Sequence, residues 1–301
     1  MRPDIRNFLA QLKGKVLFNE PLSKHTWFGV GGPADIFFCP QDAEDLSFFL
    51  KNKPHDLPFY ILGGGSNLLV RDGGMRGVVI KLDAPFFKQI TLQNDVLKCG
   101  GGFQNMLLGN FLIRHELSGL EFLCSIPGTI GGSIKSNAGC FASCMADVLI
   151  SAEVMDTQGI IKHFENQDFH FSYRHCQCPP CHIVLSASFK TCPSSAEKIQ
   201  ETLDTQKAYR KLKQPVNSKT AGSTFKNPIG YSAWKLIQDA GCSSLQIGGA
   251  KVSEKHSNFL INTGSATAAD IENLGNTIIQ KVQEMTGITL EWEIQIVGQN
   301  A

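Results

Sequence analysis

The sequence has no excess of either charge: 28 basic residues face 27 acidic ones, for a net charge of +1. No run of Lys and Arg stands out. A nucleic-acid surface needs a basic excess or stripe to meet phosphate, so that class is set aside. No apolar run approaches the roughly 20 residues that cross a bilayer. The N-terminal stretch MRPDIRNFLAQLKGKVLFNE lacks both an apolar signal core and a small-residue cleavage site. No membrane contact is expected, and the cytoplasm is the expected compartment. Internal repeats and low-complexity tracts are also missing.

What is present reads as a globular chain. Hydrophobic residues make up 42% and charged residues 18% of the 301, a balance that supports a core rather than disorder. The length allows two or three domains. Gly is abundant at 29 residues, which points to many turns and close backbone approaches. The ten Cys, in a chain this long and in a reducing compartment, are expected to be mostly small buried hydrophobes.

Along the chain, short β segments separated by Gly-rich turns fill the first two thirds. Residues 59–62 are an apolar run before Gly63-Gly64-Gly65. Residues 78–82 follow the turn Asp72-Gly73-Gly74, and 89–92 and 96–99 flank Asn94-Asp95 as a hairpin. Residues 103–117 have a helical pattern that stops before Gly119, and 148–155 and 183–189 are further strands. Composition shifts at Thr191-Cys192-Pro193-Ser194-Ser195, where a domain boundary is placed before a polar helix over 196–213. Thr267 and Asp270 have capping-box spacing. Behind them Ile271, Leu274, Ile278, Val282 and Met285 make one apolar helix face ending at Gly287, and 290–297 alternates like a strand.

Two glycine-rich segments carry the first chemical signal. Gly63-Gly64-Gly65-Ser66-Asn67-Leu68 follows a strand and can turn backbone N–H groups inward, a concavity suited to anions. It is not a Walker loop, because no Gly-Lys-Ser/Thr follows. It is not a Rossmann fingerprint either, because Leu68 stands where a third Gly is required. The second segment, Ile126-Pro127-Gly128-Thr129-Ile130-Gly131-Gly132-Ser133, leads into Asn137-Ala138-Gly139 and lets a flat ligand lie against bare backbone. The pair suits one large cofactor with a pyrophosphate and a ring system. Two unrelated tight turns would look the same.

At these residues the chain resembles the UDP-N-acetylenolpyruvoylglucosamine reductase family of bacterial peptidoglycan precursor synthesis. The similarity runs through Thr26-Trp27-Phe28-Gly29-Val30-Gly31-Gly32-Pro33-Ala34-Asp35, both glycine segments, Gly119-Leu120-Glu121-Phe122 and Phe171-Ser172-Tyr173-Arg174. It continues through Ala221-Gly222-Ser223-Thr224-Phe225-Lys226-Asn227-Pro228, Gly248-Gly249-Ala250-Lys251-Val252-Ser253, Lys255-His256-Ser257-Asn258-Phe259 and Leu290-Glu291-Trp292-Glu293-Ile294. Any one of these is weak; all of them in this order are highly specific.

The resemblance implies an α+β chain. A vanillyl-alcohol-oxidase/PCMH-type FAD-binding fold in two subdomains (23–190) would follow an N-terminal segment (1–22) and precede a C-terminal α+β substrate-binding domain (196–301). It implies non-covalent FAD, NADPH as co-substrate, and reduction of an enolpyruvyl double bond on a nucleotide sugar to a lactyl ether. A monomer is expected. The short spacing from Arg174 to Ser223 is similar to the subgroup without the extra substrate-capping Tyr loop.

Site residues follow from the same match. Ser223 corresponds to the family's proton donor, Arg174 to the arginine that meets the substrate carboxylate, and Glu293 to the catalytic glutamate, expected on the last strand. Cofactor contacts are expected at Gly63, Gly64, Gly65, Ser66, Asn67, Leu68, Pro127, Gly128, Thr129, Gly131, Gly132, Ser133, Asn137 and Gly139. Substrate contacts are expected at Tyr173, Asn227, Lys211 and Lys213, the two lysines facing the diphosphate. Read without the family, Ser223 is a turn serine, Glu293 a solvent-facing strand residue, and Lys211 and Lys213 a solvated helix face.

The chain departs from the family at His175-Cys176-Gln177-Cys178-Pro179-Pro180-Cys181-His182. Cys and His this close have zinc-ligand spacing. No second CxxC pair partners them, and no metal site is expected. Relatives usually carry Ser where Cys176 stands and Met where Ser136 stands. Two other readings stay open: a flavin oxidase using oxygen, and a non-catalytic nucleotide- or metal-binding regulator.

Overall fold

The computed structural model describes residues 2–94, 96–179 and 181–301. The chain packs as two compact units. One comprises residues 2–18 with Ile36–Gly64 and Gly77–Lys207; the other comprises Asn19–Asp35, Gly65–Arg76 and Ala208–Ala301. Each has its own apolar core.

In the first unit a five-stranded sheet runs in the order Ile161–Glu165, Leu149–Met155, Ile183–Lys190, Val96–Gly100, Ile90–Gln93. Its middle strand, IVLSASFK, pairs antiparallel on both sides, with Ala187 opposite Ala152 and opposite Cys99. β-branched and small residues suit such a strand, whose two faces are largely covered. The expected hairpin forms with Gln93 opposite Val96, and Asn94 takes the left-handed conformation a two-residue turn needs (φ +48). Asp95 lies outside the described residues. A four-stranded sheet has the order Lys15–Pro21, Pro33–Cys39, Met75–Lys81, Phe59–Leu62. Asp42 accepts the Asp45 N–H at 2.9 Å and caps helix Ala43–Asn52, whose Leu46, Phe49 and Leu50 join Phe38, Val78 and Ile80 in the core.

The helix expected over 103–117 is divided. Asn105–Leu107 is a 3-10 turn, Leu108–His115 is α-helical, and Glu116 ends it in the left-handed conformation (φ +53). Leu117–Ser118 then pairs with Cys192–Pro193. The reason lies at Phe103 and Gln104: Gln104 is extended and bridges antiparallel to Thr129, and Phe103 O accepts the Ile130 N–H at 3.0 Å.

The second unit is built on helix Ala268–Thr286. Its Thr267–Asp270 capping box forms in both directions, and Ile271, Leu274, Ile278 and Val282 are fully buried. Met285 does not share that face: it is 63% exposed, because the core stops one turn before Gly287 closes the helix (φ +74). Two residues of the Asp72 turn region also hold this helix. Asp72 accepts the N–H groups of Ala268 and Ala269 at 2.9 Å each. Arg71 grips Glu272 with two donors at 2.9 and 2.7 Å and holds its carboxyl below the usual range. Asp72→Ala removes a cap with two donors and should destabilise this unit by about 1–2 kcal/mol, read as an earlier denaturant midpoint with unchanged slope.

The strand expected over 290–297 is shorter. Only Gln295–Val297 forms a ladder, parallel to Leu68–Val70. Upstream the chain has a different partner: Trp292 bridges to Phe225, and the Glu293 N–H donates to Thr224 O at 2.8 Å.

Candidate functional site

In the first unit, strand Phe59–Leu62 delivers Gly63 and Gly64 onto the second glycine segment. A Cβ added to Gly64 would stand 2.6 Å from Gly128 Cα, and one added to Gly63 would stand 3.2 Å from Thr129 Oγ1. Gly64 therefore meets Gly128 backbone to backbone, while Gly63 faces the Thr129 hydroxyl. Such a surface fits a pyrophosphate or flat ring, which needs close approach to bare peptide groups. Thr129 caps the short helix Ile130–Lys135 by accepting the Gly132 N–H at 3.4 Å, and Gly131 donates to Gly101 O at 2.9 Å.

Two contributors here escaped the sequence reading. Gly100-Gly101-Gly102 is a third glycine run, packed on the backbone of Phe87, Val184 and Leu82. It was visible as a run, but its partners are distant in sequence. Asn105, fully buried, donates to Ser133 Oγ at 2.7 Å and Ile126 O at 3.2 Å and so holds both ends of the second glycine segment. Nothing in its local sequence marks it.

Asn137 sits at φ +43, donates to Ser172 O at 2.8 Å and accepts the Ala146 N–H at 3.0 Å. This ties it to the turn that carries Tyr173 and Arg174. Ser172 and His175 exchange two backbone hydrogen bonds, at 3.0 and 3.1 Å, with Arg174 left-handed between them (φ +54). The Arg174 guanidinium lies 5.2 Å from the Tyr173 ring centre. Gly139 has a packing reason of its own, since a Cβ there would meet Cys144 Cβ at 2.6 Å across a tight hairpin.

The boundary between units falls after Gly64, so Gly65, Ser66, Asn67 and Leu68 belong to the second. Gly65 is left-handed (φ +65) with its Cα against His25 O, where no larger residue fits. Leu68 is buried and pairs with Gln295. Asn67 donates to Glu293 O at 3.1 Å and accepts the Gln295 N–H through its carbonyl at 3.0 Å.

Ser223 and Glu293 both belong to the second unit, where the backbone bonds between the neighbour of Ser223 and Glu293. Thr224, next to Ser223, is fully buried; its O accepts the Glu293 N–H, and its N–H donates to Asn258 O at 2.8 Å. The Asn258 amide completes the frame by accepting from Phe225 N at 2.9 Å and donating to Phe225 O at 2.8 Å. A buried Asn paired with one peptide in this way acts as a strand edge, and only the folded chain shows it. Gly222 (φ +84) leads into Ser223 with open space on its Cβ side. Arg174 belongs to the first unit. Asn227 Oδ1 accepts the Ala233 N–H at 2.9 Å at the start of helix Ala233–Asp239. Lys211 and Lys213 lie exposed in the last turn of helix Ala196–Lys213, and Lys211 O accepts from Lys255 Nζ at 3.2 Å. Among the described residues no group of three or more His, Cys, Asp or Glu is placed to hold a metal.

Comparison with known proteins bears on both units. Residues 34–165 match the family described as FAD binding domain. Residues 214–297 match the family described as UDP-N-acetylenolpyruvoylglucosamine reductase, C-terminal domain. The chain is 44% identical over 299 residues to a UDP-N-acetylenolpyruvoylglucosamine reductase of Bradyrhizobium sp. (strain ORS 278), covering 99% of this chain and 97% of that one. It is 45% identical over 296 residues to one of Rhodopseudomonas palustris (strain BisB5), covering 98% and 96%. The crystal structure of the Thermus caldophilus UDP-N-acetylenolpyruvylglucosamine reductase superposes with a TM-score of 0.81 at 34% identity, covering 95% of this chain and 99% of that one. With both domain matches in order and identity sustained from end to end, the chain belongs to the UDP-N-acetylenolpyruvoylglucosamine reductase family.

Proposed function

We propose that this chain reduces UDP-N-acetylglucosamine enolpyruvate to UDP-N-acetylmuramate for peptidoglycan precursor synthesis, with NADPH as electron source. The observation that supports it most is local: Thr224, the neighbour of Ser223, is fully buried and its carbonyl accepts the Glu293 N–H. The bare backbone at Gly63, Gly64, Gly128, Thr129, Gly131 and Gly132 fits non-covalent FAD, with Pro127, Ser133, Asn137 and Gly139 shaping that wall; we assign further cofactor contacts to Gly65, Ser66, Asn67 and Leu68. FAD, when bound, supplies a hydride to the enolpyruvyl double bond.

The residues of the chain do the rest. Arg174 binds the substrate carboxylate with its planar fork and stabilises the negative charge that develops beside it. Ser223 Oγ–H delivers the proton to the adjacent carbon. A serine hydroxyl is a weak acid, so it depends on fixed geometry and exclusion of water. Glu293 orients the centre that receives the proton. Tyr173 packs against the substrate, Lys211 and Lys213 meet its diphosphate, and Asn227 uses its Nδ2, since its Oδ1 serves Ala233.

By function we assign 1–22 to an N-terminal segment, 23–190 to FAD and 196–301 to substrate, although Asn19–Asp35 and Gly65–Arg76 pack with the second unit. The short interval between Arg174 and Ser223 supports the subgroup without the extra Tyr loop. The working form is a cytoplasmic monomer with no nucleic-acid or membrane partner. Among the described residues no helix is long and apolar enough to cross a membrane. The purified protein should be yellow, bleach with NADPH, and regain colour when UDP-N-acetylglucosamine enolpyruvate is added without oxygen. Recolouring only with oxygen would replace this reading with an oxidase, and a colourless protein would remove it.

A further inference from the structure

The stretch after the Arg174 turn carries chemistry that the proposed reaction leaves unused. Ser172 and His175 are paired, and the Gln177 N–H donates to Phe169 O at 2.9 Å, so 175–178 runs back beside 169–172. In such a stretch alternate side chains share a face. His175, Gln177 and Pro179 are exposed, while Cys176 and Cys178 turn inward at 7% and 4% exposure, in the core that holds Phe169. The Cys178 N–H donates to Cys176 Sγ at 3.3 Å, and neither sulfur is in a disulfide. Lys135 Nζ is fixed beside them, donating to Cys178 O at 3.1 Å and Pro179 O at 2.5 Å.

We infer that Cys176 and Cys178 form an oxidisable dithiol, a modification site for small hydroperoxides, whose closure to a disulfide displaces the Arg174 turn. The pair is set up for this. The hydrogen bond from the Cys176 thiol, together with the Lys135 ammonium, brings Cys178 down to about 7, and the same bond pushes Cys176 up. Ionisation is thus favoured at Cys178, with the Cys176 thiol beside it, the combination that reacts with peroxide and then resolves.

The steps balance. The Cys178 thiolate attacks one peroxide oxygen, the O–O bond breaks, and the departing hydroxide takes up a proton as water. Cys176 sulfur then attacks the sulfenic sulfur, an S–S bond forms as the S–O bond breaks, and the Cys176 proton leaves with the oxygen as a second water. In sum, two thiols and one hydroperoxide give one disulfide and two waters (one water and one alcohol for an organic hydroperoxide). Burial selects the oxidant: hydrogen peroxide reaches these sulfurs, whereas bulky disulfides meet the exposed Cys181 and Cys192 first.

Closure has a mechanical consequence. Two residues of extended chain span up to about 7 Å, at or beyond the upper limit of the ~4.4–6.8 Å Cα separation a disulfide accepts. Bond formation draws Cys176 toward Cys178 and pulls on the Ser172–His175 pair. Arg174 sits between them in a left-handed conformation that tolerates little change. Asn137 and Lys135, both attached to this stretch, carry the pull toward the second glycine segment.

The effect on turnover rests on the role proposed for Arg174; the sulfur chemistry does not. The test treats the folded, flavin-loaded protein with roughly stoichiometric hydrogen peroxide, alkylates it under denaturing conditions, and maps the peptides by mass. A Cys176–Cys178 disulfide should appear before oxidation of Cys181 or Cys192 and revert with dithiothreitol. Turnover should fall about ten- to hundredfold with it and recover with it, the scale of a small misplacement of a positioned group. Cys178→Ser should keep its turnover after peroxide, while Cys181→Ser should stay sensitive. Alkylatable Cys176 and Cys178 in protein already oxidised at Cys181 would overturn the inference, as would equal peroxide sensitivity of Cys178→Ser and the unsubstituted protein. If the untreated protein never reduces the nucleotide sugar, the proposed function fails, and the peptide map still decides the dithiol.

Discussion

Ser223→Ala should leave bleaching by NADPH intact and lower steady-state turnover by about 10²–10⁴-fold, the usual contribution of a positioned proton donor. The structure makes this a clean substitution. The bonds that hold the local backbone belong to Thr224, Phe225, Asn258 and Glu293, and none of them uses the Ser223 hydroxyl. The unfolding midpoint should therefore stay where it is, separating loss of the proton donor from loss of the frame. Stopped-flow absorbance reads the two half-reactions independently: the first is expected at its normal rate, the second nearly silent. Full turnover in this variant would mean that another group delivers the proton.

Gly64→Ala should strip the protein of its flavin. The added Cβ would lie 2.6 Å from Gly128 Cα and 3.1 Å from its carbonyl carbon. Both are backbone atoms, so no side chain can rotate away, and the two glycine segments must separate. Overpacking of this kind costs about 1–3 kcal/mol, or roughly 5- to 150-fold in affinity if it falls on the bound form. The ratio of flavin absorbance to protein after gel filtration measures the loss. Secondary structure by circular dichroism should be unchanged, because Gly64 lies outside the strand that precedes it. Retention of a full complement of flavin would show that the contact between segments is not what shapes the cradle.

Several elements could be read from the order of residues alone, each because its cause is local. The Thr267–Asp270 capping box satisfies its own helix end, and the turn at Asn94 follows from the ease with which Asn goes left-handed. The strands expected at 59–62, 148–155 and 183–189 appear, within a residue at their ends, because their apolar content suits the interior of a sheet. The candidate site residues could be named in advance for another reason: the ordered set of motifs from Thr26 to Ile294 identifies a family, and the family supplies roles that composition and spacing do not.

Where the reading missed, the deciding partner was far along the chain. The helix over 103–117 is cut short because Gln104 is extended and bridges to Thr129, and Phe103 bonds to Ile130. The last strand shrinks to Gln295–Val297 because Glu293 is already bonded to Thr224. Met285 keeps the helical spacing of its face yet emerges into solvent where the core ends.

By itself the sequence determined the chemistry available to this protein: which glycines could bare the backbone, which hydroxyl, guanidinium and carboxylate could act, and which cysteines stood out. Helix caps, turns and motif order depend on neighbours a few residues apart, and those neighbours are written consecutively. Tertiary structure alone decided how these pieces are held. Asp72 caps a helix nearly two hundred residues later, Asn258 serves as the strand edge beside Ser223, and Cys176 and Cys178 turn inward together next to Lys135. Each depends on a hydrogen bond or burial between segments that meet only once the chain has packed, and no local pattern of residues encodes which segment will arrive.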